Sequence, residues 1–135
     1  SAMRFTTNLG LLVLRVGLGI MMMFHGYPKV MGGSESWQGL GGAMGNLGIH
    51  FAPTFWGAAA AFAEFGGGLF LVLGLLTRLS SAALLFTMFV ATVMHLSNGD
   101  GLMGSSHPIE DGIAFLALLI MGGGRYALDR KIFRD

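Results

Sequence analysis

Residues 9–31, LGLLVLRVGLGIMMMFHGYPKVM, decide the fold. A run of this length exceeds the roughly 20 apolar residues that cross a bilayer, yet it carries Arg15, His25 and Lys29. Arg4 ahead of an apolar run has the outline of a secretion signal. Arg15 interrupts the run, however, no small-residue cleavage site follows, and Lys29 arrives before any polar loop, so the segment reads as a retained membrane helix. Ser1-Ala2 ahead of Met3 read as a leftover of expression, and the single domain is taken as residues 3–135.

The rest of the chain agrees. Of 135 residues 53% are hydrophobic and only 11% charged, less than half the roughly 25% that clothes an ordinary soluble domain. The mean hydropathy is +0.68. Further apolar stretches lie at about 53–76, 79–96 and 108–124, giving an all-α integral membrane four-helix bundle. The segment 32–53 is rich in glycine, with Gly39, Gly42, Gly45 and Gly48 at every third position. Each glycine costs about 1 kcal/mol against alanine in a helix, so this segment is expected to be a loop with a short interfacial piece anchored by Trp37, Phe51 and Trp56. Thr77-Arg78 is read as a tight turn, and Ser97-Asn98-Gly99-Asp100-Gly101 as the end of the third span.

Basic residues set the orientation. With both termini cytoplasmic, one side carries Arg4, Arg78, Arg125, Arg130, Lys131 and Arg134 and the other only Lys29. His50 and His107 then fall in outward loops. A net charge of +1 leaves no basic footprint for nucleic acid. The absence of cysteine excludes thiol chemistry, disulfides and thiolate metal sites.

Charged groups inside spans carry the functional information, because each costs about 2.5–3.5 kcal/mol at mid-bilayer and needs a partner or water. Counting about 1.5 Å per residue from the span edges places Arg15 and Glu64 at similar depth, as an ion pair that tunes charge or fixes helix register. The same arithmetic puts His25 and His95 in the outer third, with Glu110 and Asp111 near them, above which the cluster opens outward. Lys29 is expected to snorkel toward this mouth and, with Asp111, to meet a substrate. Asp111 and Glu110 also suit a helix N-terminus through the macrodipole alone. Met21-Met22-Met23 points three ways around a helix and is packing material rather than a copper site. Gly122-Gly123-Gly124 ends a helix, without the Lys-Ser/Thr of a phosphate loop. No residue set is assigned to a metal.

Leu14-Arg15-Val16-Gly17, Phe24-His25-Gly26 and Lys29 resemble the opening of the DoxX family of small four-helix membrane proteins. Glu64-Phe65-Gly66-Gly67-Gly68-Leu69, Leu73-Gly74-Leu75-Leu76-Thr77-Arg78, Glu110 and Gly122-Gly123-Gly124-Arg125-Tyr126-Ala127-Leu128-Asp129 extend the similarity over 9–129. The resemblance implies a bacterial inner-membrane protein associated with redox systems, with an oxidoreductase partner subunit or a second copy of itself as neighbours in the bilayer. Combined with the intramembrane residues, the leading reading is a subunit handling a quinone or small molecule, with His25, His95 and Glu110 exchanging protons. Histidine suits that task because it titrates near neutrality. A scaffold or chaperone for partner proteins stays open. So do haem or metal binding between His25 and His95 with Glu110 as a third ligand, and transport of a small acid or ion.

Overall fold

The computed structural model describes residues 1–133; Arg134, counted above among the basic residues, lies outside the described residues. Among these, every regular element is a helix: α1 (Ala2–Met31), α2 (Gly33–Gly41), a 3-10 segment (Gly42–Leu47), α3 (Pro53–Leu73), α4 (Thr77–Ser97), the single turn α5 (Gly101–Gly104), α6 (Ser106–Met121) and α7 (Leu128–Ile132). Three of them, α1, α3 and α4, are long and apolar enough to cross a membrane. The expected fourth span corresponds to α6, whose 16 residues extend only about 24 Å. The third expected span begins earlier than read: Thr77 opens α4, and the turn is Gly74–Leu76.

Two seams order the bundle. Along the first, α1 and α3 run antiparallel with their backbones in contact: a Cβ on Gly19 would lie 2.5 Å from the Gly68 carbonyl oxygen, and one on Gly68 would lie 2.6 Å from that of Gly19. Small residues at a membrane helix interface allow this approach, where dispersion rather than the hydrophobic effect drives association. Along the second seam α6 packs antiparallel on α4, with Gly112 against Met88 and Leu85. Leu11, Met22, Leu71, Leu84, Met88, Phe115 and Leu118, drawn from all four long helices, form the shared core.

The glycine-rich segment forms more helix than its composition indicates. Glycine destabilises an isolated helix, but α2 is not isolated. Gly41 lies against the Pro53 backbone and Gly57 against that of Trp37, so α2 lies directly on α3. The Trp37 indole donates a hydrogen bond to the Lys29 carbonyl at 2.9 Å, fastening α2 to the end of α1.

At the opposite end a hook closes the bundle. Gly122 and Gly124, with φ of 75° and 83°, turn the chain back after α6, and Arg125 N–H donates to Asn8 Oδ1 at 3.0 Å. The hook delivers Asp129, only 4% exposed, to the turn between α3 and α4. Its carboxylate accepts from Leu76 N–H at 2.6 Å and Thr77 N–H at 2.8 Å, and its own N–H donates to the Gly74 carbonyl at 2.9 Å. A helix N-terminus leaves backbone N–H groups unpaired and attracts negative charge. Here a residue more than fifty positions away supplies both. The contact also holds Leu76 at φ 49°, a left-handed conformation that costs a residue with a Cβ roughly 1–2 kcal/mol.

Replacing Asp129 with alanine is expected to cost about 1–2 kcal/mol, the usual loss for a helix cap, while Asp129→Asn, which keeps an acceptor oxygen, loses less. Denaturant titration of the purified protein measures this; an unchanged midpoint in the alanine variant would show that the hook does not stabilise the turn.

Candidate functional site

Arg15 and Glu64, expected to pair, do not. Arg15, 1% exposed, donates from Nη1 to the Leu71 and Val72 carbonyls at 2.7 and 2.9 Å and from Nη2 to the Tyr126 carbonyl at 3.4 Å. Leu71 and Val72 belong to the last turn of α3, whose carbonyls have no partner within the helix and favour a cation. The depth estimate failed on register. It set the inner edges of the two helices level, whereas α1, which begins at Ala2, runs past the end of α3, and Arg15 is level with a point seven residues, about 10 Å, beyond Glu64. Arg15 therefore seals the closed end of the bundle together with Asp129.

Glu64 pairs instead with Lys29. Lys29 Nζ stands 2.8 Å from each carboxylate oxygen, aligned as a hydrogen bond to Oε1 and leaving Oε2 without one. The Glu64 side chain is 5% exposed and that of Lys29 35%. Lys29 is thus not simply snorkelling; it is the counter-ion that lets a carboxylate stand within the span. The α1–α3 seam produces this contact, because Gly26 brings the α1 backbone against Glu64 and Phe65.

The pair lies on the wall of a cleft of about 720 Å³. α3 and α4 leave the tight turn together and touch at Gly67 and Leu84. Beyond that point Ala59, Ala60 and Ala63 of α3 and Ala83 and Ala91 of α4 line the space between them. Small side chains on both walls leave the gap. Its polar side is built by four helices: His25 and Lys29 from α1, Glu64 from α3, His95 from α4 and His107 from α6.

The histidines are arranged differently from the expectation. The ring neighbour of His25 is His107, edge to face with centroids 5.3 Å apart. His95 Nδ1 lies 2.8 Å from Asp100 Oδ2 and His107 Nδ1 lies 3.5 Å from Asp111 Oδ2. In the tautomer that donates Nδ1–H to Asp100, His95 carries its lone pair on Nε2, which can then accept a proton. Asp111 is a partner of His107 and is not on the cleft wall. Glu110 is exposed and also absent from the lining; it shares the outward stripe of α6 with Ile113, Leu116 and Ile120, opposite the buried Pro108, Gly112 and Phe115. The expected grouping of Glu110 with His25 and His95 is therefore corrected to one of His107 with them. The i, i+4 spacing of His107 and Asp111 on one helix face was the signal available for it.

Three helices long and apolar enough to cross a membrane, around a cleft with ionisable walls, define a small multi-pass protein of the cell membrane. The DoxX family profile matches residues 10–96, and the chain belongs to the DoxX family. It is 31% identical over 134 residues to the inner membrane protein YqjF of Escherichia coli (strain K12), covering 96% of this chain and 97% of that protein. No solved structure matches it.

Removing one member of the ion pair strands the other. Glu64→Gln or Lys29→Met alone is expected to cost on the order of 2 kcal/mol, below the 3–5 kcal/mol of a fully buried pair because Lys29 retains some exposure. The double variant recovers most of the loss. Denaturation midpoints of the four proteins test the coupling, and strictly additive losses would contradict it.

Proposed function

We propose that this protein is a subunit or accessory of a membrane redox system that holds a quinone, or a similar small molecule with ring carbonyls, in the cleft. In this reading α6 completes a four-span bundle and both termini are cytoplasmic, in keeping with the excess of basic residues at that end. The observation that carries the proposal is the convergence of three imidazoles and a part-buried Lys–Glu pair, from four helices, on one largely apolar cleft. A largely apolar pocket with a few converging polar groups is the usual form of a small-molecule site.

The chemistry needs little from the chain itself. Reduction of a quinone to the quinol takes two electrons and two protons. The electrons come from a partner oxidoreductase; the protons pass from His25, His95 or His107 to the two ring oxygens. Asp100 orients His95, and Asp111 stands beside His107, leaving Nε2 of each ring as the atom that takes up a proton from water at the exposed rim and hands it to a ring oxygen. Lys29 and Glu64 together add no net charge. They give a polar wall toward which a carbonyl oxygen can turn without meeting an isolated ion.

A short-chain quinone is expected to raise the unfolding temperature of the purified protein, by the equivalent of about 2.7 kcal/mol at one hundred times Kd. His25→Ala and His107→Ala should abolish most of that shift, whereas Glu110→Gln should retain it. Equal shifts in all four proteins would contradict the proposal.

A further inference from the structure

Most acids of the helical bundle are matched from within the chain: Glu64 by Lys29, Asp100 by His95, Asp111 by His107 and Asp129 by two backbone N–H groups. Glu110 is not. It makes no hydrogen bond or ion pair with any described residue. A helix N-terminus does not account for it. α6 begins at Ser106, so Glu110 is its fifth residue, past the four N–H groups that lack partners and at the edge of the turn in which the dipole acts.

The depth of Glu110 follows from packing. Gly112 lies against Leu85 and Met88 of α4, which sets Glu110 roughly level with residue 89, about 18 Å from the start of α4 at Thr77 and about 12 Å short of its end at Ser97. α4 is long and apolar enough to cross a membrane, so a hydrocarbon layer about 30 Å thick encloses this level. Nearer the connection between α4 and α6, Leu96, Leu102 and Met103 are exposed, and the apolar surface continues past Glu110.

Glu110 also sits on the side of α6 turned away from the bundle. Ile113, Leu116 and Ile120 are exposed there, and Ala114 and Ala117 follow Glu110 at i+4 and i+7, on one helix face. A carboxylate facing acyl chains at such depth is costly and calls for a partner. The alanines beside it let another helix come close.

We infer that this face of α6 docks a membrane-spanning helix of a different chain, one that presents a lysine or arginine at the depth of Glu110. The cation pairs with Glu110, and the partner's backbone lies along Ala114 and Ala117. A second copy of this chain lacks the required charge. Its described arginines and Lys131 gather at the closed end of the bundle, Lys29 is committed to Glu64, and His107 lies beside Asp111 at the cleft. The same face repeated about a twofold axis would set one Glu110 against the other. Nothing in this surface depends on what the cleft holds, since Glu110 is not part of the cleft lining.

The test uses three synthetic leucine–alanine helices that span a bilayer and differ at one position, about 12 Å from one end, which carries lysine, leucine or glutamate. Donor-labelled protein and acceptor-labelled helix are mixed in lipid vesicles, and energy transfer reports association. The wild-type protein is expected to hold the lysine helix at least about tenfold more tightly than the leucine helix, and the glutamate helix no better than the leucine one. Glu110→Gln should bring lysine and leucine within about twofold. Ala117→Phe, which blocks close approach, should weaken the lysine helix, whereas Val13→Phe on the exposed side of α1 should leave the preference intact. A second readout needs no partner: Glu110→Leu is expected to raise the folding equilibrium constant of the protein in bicelles at least about tenfold, because it removes a charge from lipid.

Equal affinities for the lysine and leucine helices in the wild type overturn the inference, as does a lysine preference that survives Glu110→Gln. An unchanged or lowered folding constant in Glu110→Leu overturns it too, since water would then already reach the carboxylate. Energy transfer between differently labelled copies of the protein, lost in Glu110→Gln, would assign the face to a second copy and overturn the choice of partner.

Discussion

An ion or a backbone end at membrane depth finds no water to solvate it, so each must be matched from within the chain. The turn between α3 and α4 shows how this is done for two helix ends. The last carbonyls of α3 receive the guanidinium of Arg15, and the first N–H groups of α4 receive the carboxylate of Asp129. A cation at a helix C-terminus and an anion at the adjacent N-terminus each oppose the charge of a helix dipole. Arg15 is drawn from the first helix and Asp129 from the last, so one pair of helix ends ties together both extremes of the described chain.

This closure at one end makes the cleft at the other intelligible. α3 and α4 are joined by a short turn and touch at Gly67 and Leu84, while α1 is held against α3 by the glycine seam. Farther along, small side chains on both facing walls leave space, and His25, Lys29, Glu64, His95 and His107 are the ionisable residues that border it. Lys29 and Glu64 form the second matched pair, near the level at which the histidines gather. The DoxX chain thus uses its charges in two places: Arg15 and Asp129 hold helix ends, whereas Lys29, Glu64 and three of the imidazoles line the cleft.

Much of this was legible in the sequence. Low charge and long apolar runs gave the membrane helices, and the cost of intramembrane charge singled out Arg15, His25, Lys29, Glu64 and His95. Partner choice was not legible, because it depends on how one helix slides along another. An offset of about two turns exchanged the expected Arg15–Glu64 pair for Lys29–Glu64. Composition misled for α2, where tertiary packing outweighs the low helix propensity of glycine. The phase of α6 turned Glu110 away from the cleft and left His107, itself largely exposed, at its rim, a distinction that hydropathy cannot register when both residues lie within the first turns of the same helix. Asp129 was visible only as part of a terminal motif, since a cap contributed from across the chain has no local signature.

The exchange of partners is the point on which the placement of the site depends, and it can be read spectroscopically. Solid-state NMR dipolar recoupling in lipid bilayers, between the Glu64 carboxylate carbon and side-chain nitrogens labelled in lysine or in arginine, reports which cation stands beside Glu64. Strong dephasing by Lys29 Nζ, in keeping with the 2.8 Å contacts, and none by the guanidinium of Arg15 is the expected result. Strong dephasing by Arg15 with none by lysine would contradict it, and would return Glu64 to the closed end of the bundle.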